Sequence, residues 1–259
     1  MISNLASIHS KARIGNNVTI EPFTYISGDV EIEDDTWIGP NVSIFDGARI
    51  GKNCKIYPGA SISAPPQDLK YKGEPTITRV GDNTVIREAV TLNKGTLANN
   101  ETSIGANCLL MAYVHVAHDC VIGNHCIIVN NVQLAGHIYI DEWAMVGGTS
   151  AVQQFVRIGA HAFVTGGALV RKDIPPFTKA AREPLSYVGI NSIGLRRRGF
   201  SNDQINDIAE IYRVLYLKGL NTTQALDKIE LELKPSKERD EIVNFIRASD
   251  KGILKGPDL

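Results

Sequence analysis

Aliphatic residues recur at every sixth position along two thirds of the chain. Counting in sixes from Ile2 to Val170 reaches 29 positions, and all are Ile, Leu or Val except Asp68, Glu74 and Ala98. Two residues before each stands a second selective position, filled by small or β-branched side chains such as Ala12, Val18, Thr24 and Val30 early on and Val132, Ile138, Ala144 and Ser150 later. This unit predicts a short strand plus a corner, stacked into a parallel β-solenoid in which each coil buries its neighbour's apolar column. Glycine often follows the aliphatic residue, as at Gly15, Gly51, Gly81, Gly105, Gly123, Gly147 and Gly159. A tight corner there calls for the positive φ that glycine adopts freely.

The register breaks twice. Asp68 and Glu74 lie in SAPPQDLKYKGEPT, where prolines, Gly-Glu-Pro and charges predict a loop thrown out of the solenoid over about 63–79. Its phase is kept, because Ile62 and Val80 stand a whole number of repeat units apart. A smaller excursion is expected near Leu97–Glu101. After Val170 the repeat ends, and from Ser201 the spacing becomes helical. Ser201 and Gln204 resemble a capping box ahead of Ile205, Ile208, Ile211 and Leu215. Two further helices are expected at about 222–234 and 236–249, split by Pro235. The expected organisation is a solenoid over 1–185 and a helical domain over 186–259 that caps its open end, where unpaired strand backbone invites aggregation.

Composition narrows the function classes. The 259 residues carry a formal net charge of −1, which gives no support to nucleic-acid binding. No apolar run approaches the roughly 20 residues that span a bilayer. The N-terminus has no basic start followed by an apolar stretch, so a cytoplasmic location is expected. Cys54, Cys108, Cys120 and Cys126 all fall in the second inward column and none is spaced CxxC. They read as small buried hydrophobes rather than zinc ligands or disulfides.

Candidate chemistry is concentrated between 113 and 154, where His115, His118, His125 and His137 lie. His118 follows inward Val116 by two and belongs near a corner. His137 follows His118 by one 18-residue coil plus one, which places the pair on adjacent coils about 5 Å apart. Asp119 could orient an imidazole or raise its basicity. A histidine titrating near neutrality suits removal of a proton from a hydroxyl that attacks a thioester, with backbone N–H groups such as that of Gly136 facing the oxyanion. A zinc site of His115, His118 and His137 competes with this reading, as does a solenoid with no catalysis. Arg197 and Arg198 suit phosphate oxygens, and equally a solvated basic turn before a helix.

HVAHDCVIGNHCIIVNNVQLAGH (115–137) resembles the central motif of the UDP-N-acetylglucosamine 3-O-acyltransferases, the first enzymes of lipid A synthesis. QDLKYKGEPT (67–76), IGAH (158–161), DIPPF (173–177) and GLRRRGFS (194–201) follow in that family's order, so the resemblance covers nearly the whole chain. It implies a left-handed parallel β-helix with three six-residue sides per coil and a C-terminal helical domain, assembled as a homotrimer with active sites between subunits. The implied donor is an (R)-3-hydroxyacyl chain on the phosphopantetheine of acyl carrier protein, with no separate cofactor and no metal. By the same resemblance His118 is the general base, Asp119 supports it and Gly136 serves the oxyanion. Asp68, Lys70, His115, His137 and Gln154 would contact sugar and acyl groups, Gly166 would tune acyl length, and Asn191, Arg197 and Arg198 would hold the nucleotide end. Arg157, Arg171, Lys172, Lys179 and Arg182 are candidate docking charges for the acidic carrier protein.

Two positions depart from the family pattern. Gln153 stands where histidine is usual, and Ile193 where a glutamate is usual. Gln153 can carry no proton, which raises an alternative acceptor, the 3-amino analogue of the sugar, whose product would be an amide. The related N-acyltransferases would carry a further N-terminal uridine-binding domain, whereas here the repeat begins at Ile2. Acetyltransferases that use coenzyme A are not expected to share both QDLKYKGEP and GLRRRGF.

Overall fold

The computed structural model describes residues 1–256. Up to Ala181 the chain forms a triangular prism of short parallel strands in three sheets. The first sheet runs from Ser7–Ile8 to Leu169–Val170, the second from Arg13–Ile14 to Arg157–Ile158, and the third from Thr19–Ile20 to Thr178–Ala181. Each strand pairs in parallel with the one a coil later, in most coils three repeat units on, as in Tyr25↔Ser43 and His115↔Gln133. The six-residue spacing therefore puts one aliphatic residue per side on the axis. Ile26, Ile38, Ile44, Ile86, Leu110 and Ile128 are all fully buried, and each contributes about 1.5–3 kcal/mol of hydrophobic stabilisation.

Both excursions leave the corner between the first and second sheets, and they lengthen the local repeat. Ile50 pairs with Val80 and Val80 with Ile104, so the first of these coils is longer than its neighbours by two repeat units and the second by one. The first excursion is narrower than its sequence suggests. Ala64 pairs with Asn93 and Ile77 with Glu101, so the necks of the two loops zip together and only residues 65–76 leave the sheets.

Corner chemistry differs from the expectation for glycine. The left-handed residue is the one three after the inward aliphatic, and in the first half of the solenoid it is often Asn or Asp: Asn17, Asp35, Asn41, Asn53, Asn83 and Asn107 have φ of 53–60°. Their short polar side chains tolerate that region. The glycines after the aliphatic residue have no positive φ. They are needed because the next coil passes too close: a Cβ on Gly51 would sit 2.3 Å from the Asp82 carboxylate, and one on Gly147 2.4 Å from the Gly166 nitrogen.

The four thiols are buried in the second column as the spacing predicts. Cys108, Cys120 and Cys126 each donate to a carbonyl 15 residues on. Thr24 and Thr36 make the same bond, so the column selects small side chains able to donate there.

At the C-terminal end Ser186–Ile190 turns back antiparallel on Thr178–Ala181. Four helices follow: α1 (Ser192–Arg197), α2 (Asn202–Leu217), α3 (Thr222–Glu232) and α4 (Lys237–Arg247). The short α1 has no counterpart in the helical spacing, which starts at Ser201. The Ser201–Gln204 capping box is formed in both directions, and Asn221 with Gln224 repeats it at α3. The cap is pinned to the last coils by Tyr212, whose hydroxyl donates to the Pro176 carbonyl at 2.5 Å, and by Arg157, which lies over the Phe245 ring.

Candidate active site

The corner that carries both excursions also carries His118 and His137. His118 and Asp119 turn one coil from the first sheet to the second. Gly136 and His137 do so one coil later, followed by Gln154 and Phe155. Asp119, His137 and Phe155 occupy equivalent left-handed positions, with φ of 60–66°. The stacking brings the rings of His118 and His137 to 5.0 Å, edge to face, and His137 lies flat on Phe155 at 4.7 Å.

The Asp119 carboxylate, 1% exposed, anchors this cluster. Its Oδ2 lies 2.7 Å from His118 Nδ1, accepts from the Thr96 hydroxyl at 2.7 Å and is 3.8 Å from His137 Nε2. Its Oδ1 accepts the N–H groups of Thr96 at 2.9 Å and Asn99 at 3.2 Å. Burial alone would raise the Asp119 carboxyl, but the bonds from His118 and Thr96 outweigh it and hold it below the usual carboxylate range. An ionised Asp119 fixes the proton of His118 on Nδ1 and leaves Nε2 as a base. Burial lowers His137 and His115, and the neighbouring His118 adds to the effect in each.

Gly136 packs against the Cε1–Nε2 edge of this base. A Cβ there would fall 2.7 Å from His118 Cε1 and 2.8 Å from Nε2, so only glycine lets the backbone approach. Among the described residues no protein acceptor takes the Gly136 N–H. His115 sits on the adjoining strand with Nδ1 2.7 Å from the Thr91 hydroxyl. Asp68 caps its own loop by accepting the Lys70 N–H at 3.0 Å, and it lies near enough for its charge to raise His137. Lys70 is exposed above it, and Gln153 and Gln154 are exposed one coil beyond His137.

A cation set can be tested against the same geometry. Among the described residues, the group whose donor atoms lie within 4.8 Å of one another is His118, Asp119 and His137. His115, in the trio that the spacing raised as a zinc site, is directed to Thr91 instead.

Asn191, Arg197 and Arg198 lie elsewhere, in a groove of about 600 Å³ against the outer face of the third sheet, lined also by His125, Trp143, Met145, Phe163 and Ile193. Asn191 is the N-cap of α1. Its Oδ1 accepts the Gly194 N–H at 3.2 Å and its Nδ2 donates to the His161 carbonyl at 2.9 Å. Arg197 is exposed in the last turn of α1 rather than in a free turn. Arg198 lies over the Trp143 ring at 5.2 Å, with Nη1 3.2 Å from His161 Nδ1. Burial, then Arg198 and Lys237, push the His161 imidazole down to about 4, so it accepts from Arg198 as a neutral ring. Gly166 is exposed at the third corner, where a Cβ would meet the Gly148 carbonyl at 3.0 Å. Among the docking charges, Arg157 donates to the Ala248 carbonyl and Lys172 to that of Lys251.

One chain thus gathers His118, Asp119, Gly136, His137 and Asp68 at one corner, and Asn191, Arg197 and Arg198 on another side of the prism. Thr96, Asn99 and Phe155 join the first group without having been singled out in the sequence. Phe155 follows His137 by one full coil, so the repeat could have found it, whereas Thr96 sits where the repeat is broken.

Residues 173–254 match the family described as "Udp N-acetylglucosamine O-acyltransferase; Domain 2", and residues 29–64 and 101–136 match bacterial transferase hexapeptide repeats. The acyl-[acyl-carrier-protein]--UDP-N-acetylglucosamine O-acyltransferase of Chlorobaculum parvum is 56% identical over 251 residues, covering 95% of this chain and 94% of its own. That of a Sulfurihydrogenibium species is 53% identical over 249 residues, covering 96% and 92%. The crystal structure of the UDP-N-acetylglucosamine acyltransferase from Bacteroides fragilis superposes with a TM-score of 0.97 at 51% identity, over 98% of this chain and 100% of that one. The Francisella novicida enzyme gives 0.97 at 41%, over 100% and 95%. The coils therefore form a left-handed parallel β-helix, and the chain belongs to the UDP-N-acetylglucosamine O-acyltransferase family.

Proposed function

We propose that this enzyme transfers an (R)-3-hydroxyacyl chain from acyl carrier protein to the 3-hydroxyl of UDP-N-acetylglucosamine, the first step of lipid A biosynthesis. The observation that carries the reading is the His118–Asp119 pair closed against Gly136, in a chain of this family. His118 Nε2 takes the proton of the sugar 3-hydroxyl as its oxygen attacks the thioester carbonyl. The carbonyl oxygen becomes an oxyanion facing the Gly136 N–H. Collapse breaks the carbon–sulfur bond, and the departing phosphopantetheine thiolate takes from His118 the proton that came from the sugar hydroxyl. The acyl group arrives on its carrier, so the reaction needs neither a separate cofactor nor a metal.

The amide-forming alternative suggested by Gln153 is not favoured, because the relatives are named O-acyltransferases. In this reading three chains associate. The base and the Arg197–Arg198 groove occupy different sides of one prism, and a homotrimer would let the groove of one subunit serve the His118 corner of its neighbour. Lys70, His115, His137 and Gln154 then border the sugar and acyl groups, Gly166, with no side chain, leaves room for a longer acyl chain, and Asn191, Arg197 and Arg198 face the diphosphate. Among the described residues no helix is long and apolar enough to cross a membrane. Substrates of this kind suit a cytoplasmic enzyme.

The test is acyl transfer from 3-hydroxyacyl carrier-protein thioesters to UDP-N-acetylglucosamine, with sedimentation to establish the assembly. Turnover that falls more than about 10²-fold in His118→Ala supports the reading. Absence of transfer by the unmodified protein would refute it.

A further inference from the structure

The second excursion, residues 94–100, has a role that its break with the repeat conceals. Its neck is tight: a Cβ on Gly95 would lie 2.4 Å from the Glu101 nitrogen, and the Asn100 N–H donates to the Thr96 carbonyl at 2.7 Å. The turn so formed wraps the Asp119 carboxylate. Two of its N–H groups, from Thr96 and Asn99, hold Oδ1, and the Thr96 hydroxyl holds Oδ2. From below, the Thr102 hydroxyl accepts the Asp119 N–H at 2.8 Å. No other carboxylate among the described residues accepts bonds from both the backbone and the side chain of one excursion residue.

The Thr96 hydroxyl and His118 Nδ1 share one oxygen, Asp119 Oδ2, each at 2.7 Å, with His137 Nε2 as a third claimant at 3.8 Å. A carboxylate oxygen that already accepts one strong bond has less negative charge to offer a second donor. From this geometry we infer that Thr96 is a positioning residue: its hydroxyl fixes the rotamer of Asp119 and limits how strongly Asp119 stabilises the protonated form of His118. The inference rests on His118 acting as the general base. Without Thr96, Oδ2 turns wholly to His118, the imidazolium is favoured, and less free base is present at a given pH. The Thr96 hydroxyl also accepts the Ala98 N–H at 3.2 Å, so a residue here needs both an acceptor and a donor.

The test compares Thr96→Val, which keeps the shape and removes the hydroxyl, with Thr96→Ser, which keeps the hydroxyl, by pH profiles of kcat/KM for acyl transfer. The expected result for Thr96→Val is a fall in kcat/KM of about tenfold, as Asp119 loses its fixed rotamer. Its acid limb should also move to higher pH, while Thr96→Ser follows the unmodified enzyme. Should the valine variant fold poorly in thermal melts, Thr96→Ala carries the same expectation. A valine profile that superposes on the original after uniform scaling overturns the inference, as does a serine variant impaired like the valine one. Failure of the underlying reading looks different: the unmodified enzyme would transfer no acyl chain, or His118→Ala would retain full turnover.

Discussion

Gly136 lies against the ring edge of His118 so closely that a methyl group on it would stand 2.7 Å from Cε1 and 2.8 Å from Nε2. Its backbone is not in the left-handed region. Alanine is therefore conformationally acceptable at this position and excluded only by the histidine. Gly136→Ala should leave the melting temperature within a few degrees while it displaces the base and fills the space beside the N–H. Misplacement of this size costs about 10²-fold in rate, and single-turnover acyl transfer would show it. Unchanged turnover would mean that the oxyanion forms elsewhere.

Asp119→Asn separates charge from shape. The asparagine can place its one oxygen toward two donors, but its NH2 must then face the other two. The wild-type carboxylate accepts from His118, the Thr96 hydroxyl and two N–H groups. A buried donor left unsatisfied costs about 1–3 kcal/mol, so the variant should melt at a lower temperature. It should also lose at least about 10²-fold in kcat, because a wrong His118 tautomer presents a proton where a lone pair is needed. Urea unfolding and steady-state kinetics on the same preparation check both losses.

Much of this site could be read from the chain because the solenoid turns sequence spacing into geometry. His118 and His137, separated by one coil and a single further position, stand on adjacent coils by arithmetic alone, and the ring separation of 5.0 Å follows. The same rule placed the cysteines inside. It fails where the period fails: Thr96 lies in a segment of irregular length, and no spacing could show that its turn closes on Asp119. It fails also for α1, whose six residues carry too few apolar positions to display a helical period. The corner glycines misled for another reason. A sequence signals that a Cβ is unwelcome without saying whether the backbone angle or a neighbouring coil forbids it.

That distinction has a measurable consequence. At Gly123 a Cβ would meet the Glu142 nitrogen at 2.7 Å, a backbone atom that cannot swing away, so Gly123→Ala should destabilise by about 1–3 kcal/mol. At Asn107, with φ 58°, the constraint is the backbone angle. Asn107→Ala should cost about 1–2 kcal/mol, and Asn107→Gly much less. Denaturant midpoints of the three variants decide the matter. Equal losses at Asn107 for Ala and Gly would remove the left-handed constraint as the cause.

His161 predicts an acid-side loss of stability with a definite sign. In the unfolded chain the imidazole takes its proton near 6.5, whereas in the folded protein burial and Arg198 delay protonation to about 4. Between those values the unfolded state binds the extra proton, so the contribution is full above 6.5 and falls as the pH drops toward 4. Carboxylates titrate on the acid side too, and the comparison must therefore be with His161→Gln, which keeps an acceptor for Arg198 and cannot titrate. The melting temperature of the unmodified protein should fall relative to that variant from pH 6.5 to 4, by no more than one proton's worth, about 1.4 kcal/mol per pH unit. Above about pH 7 the two curves should run parallel. A constant difference across the whole range would mean that His161 is protonated as readily in the folded protein as in the unfolded chain, and that Arg198 does not face its ring in solution.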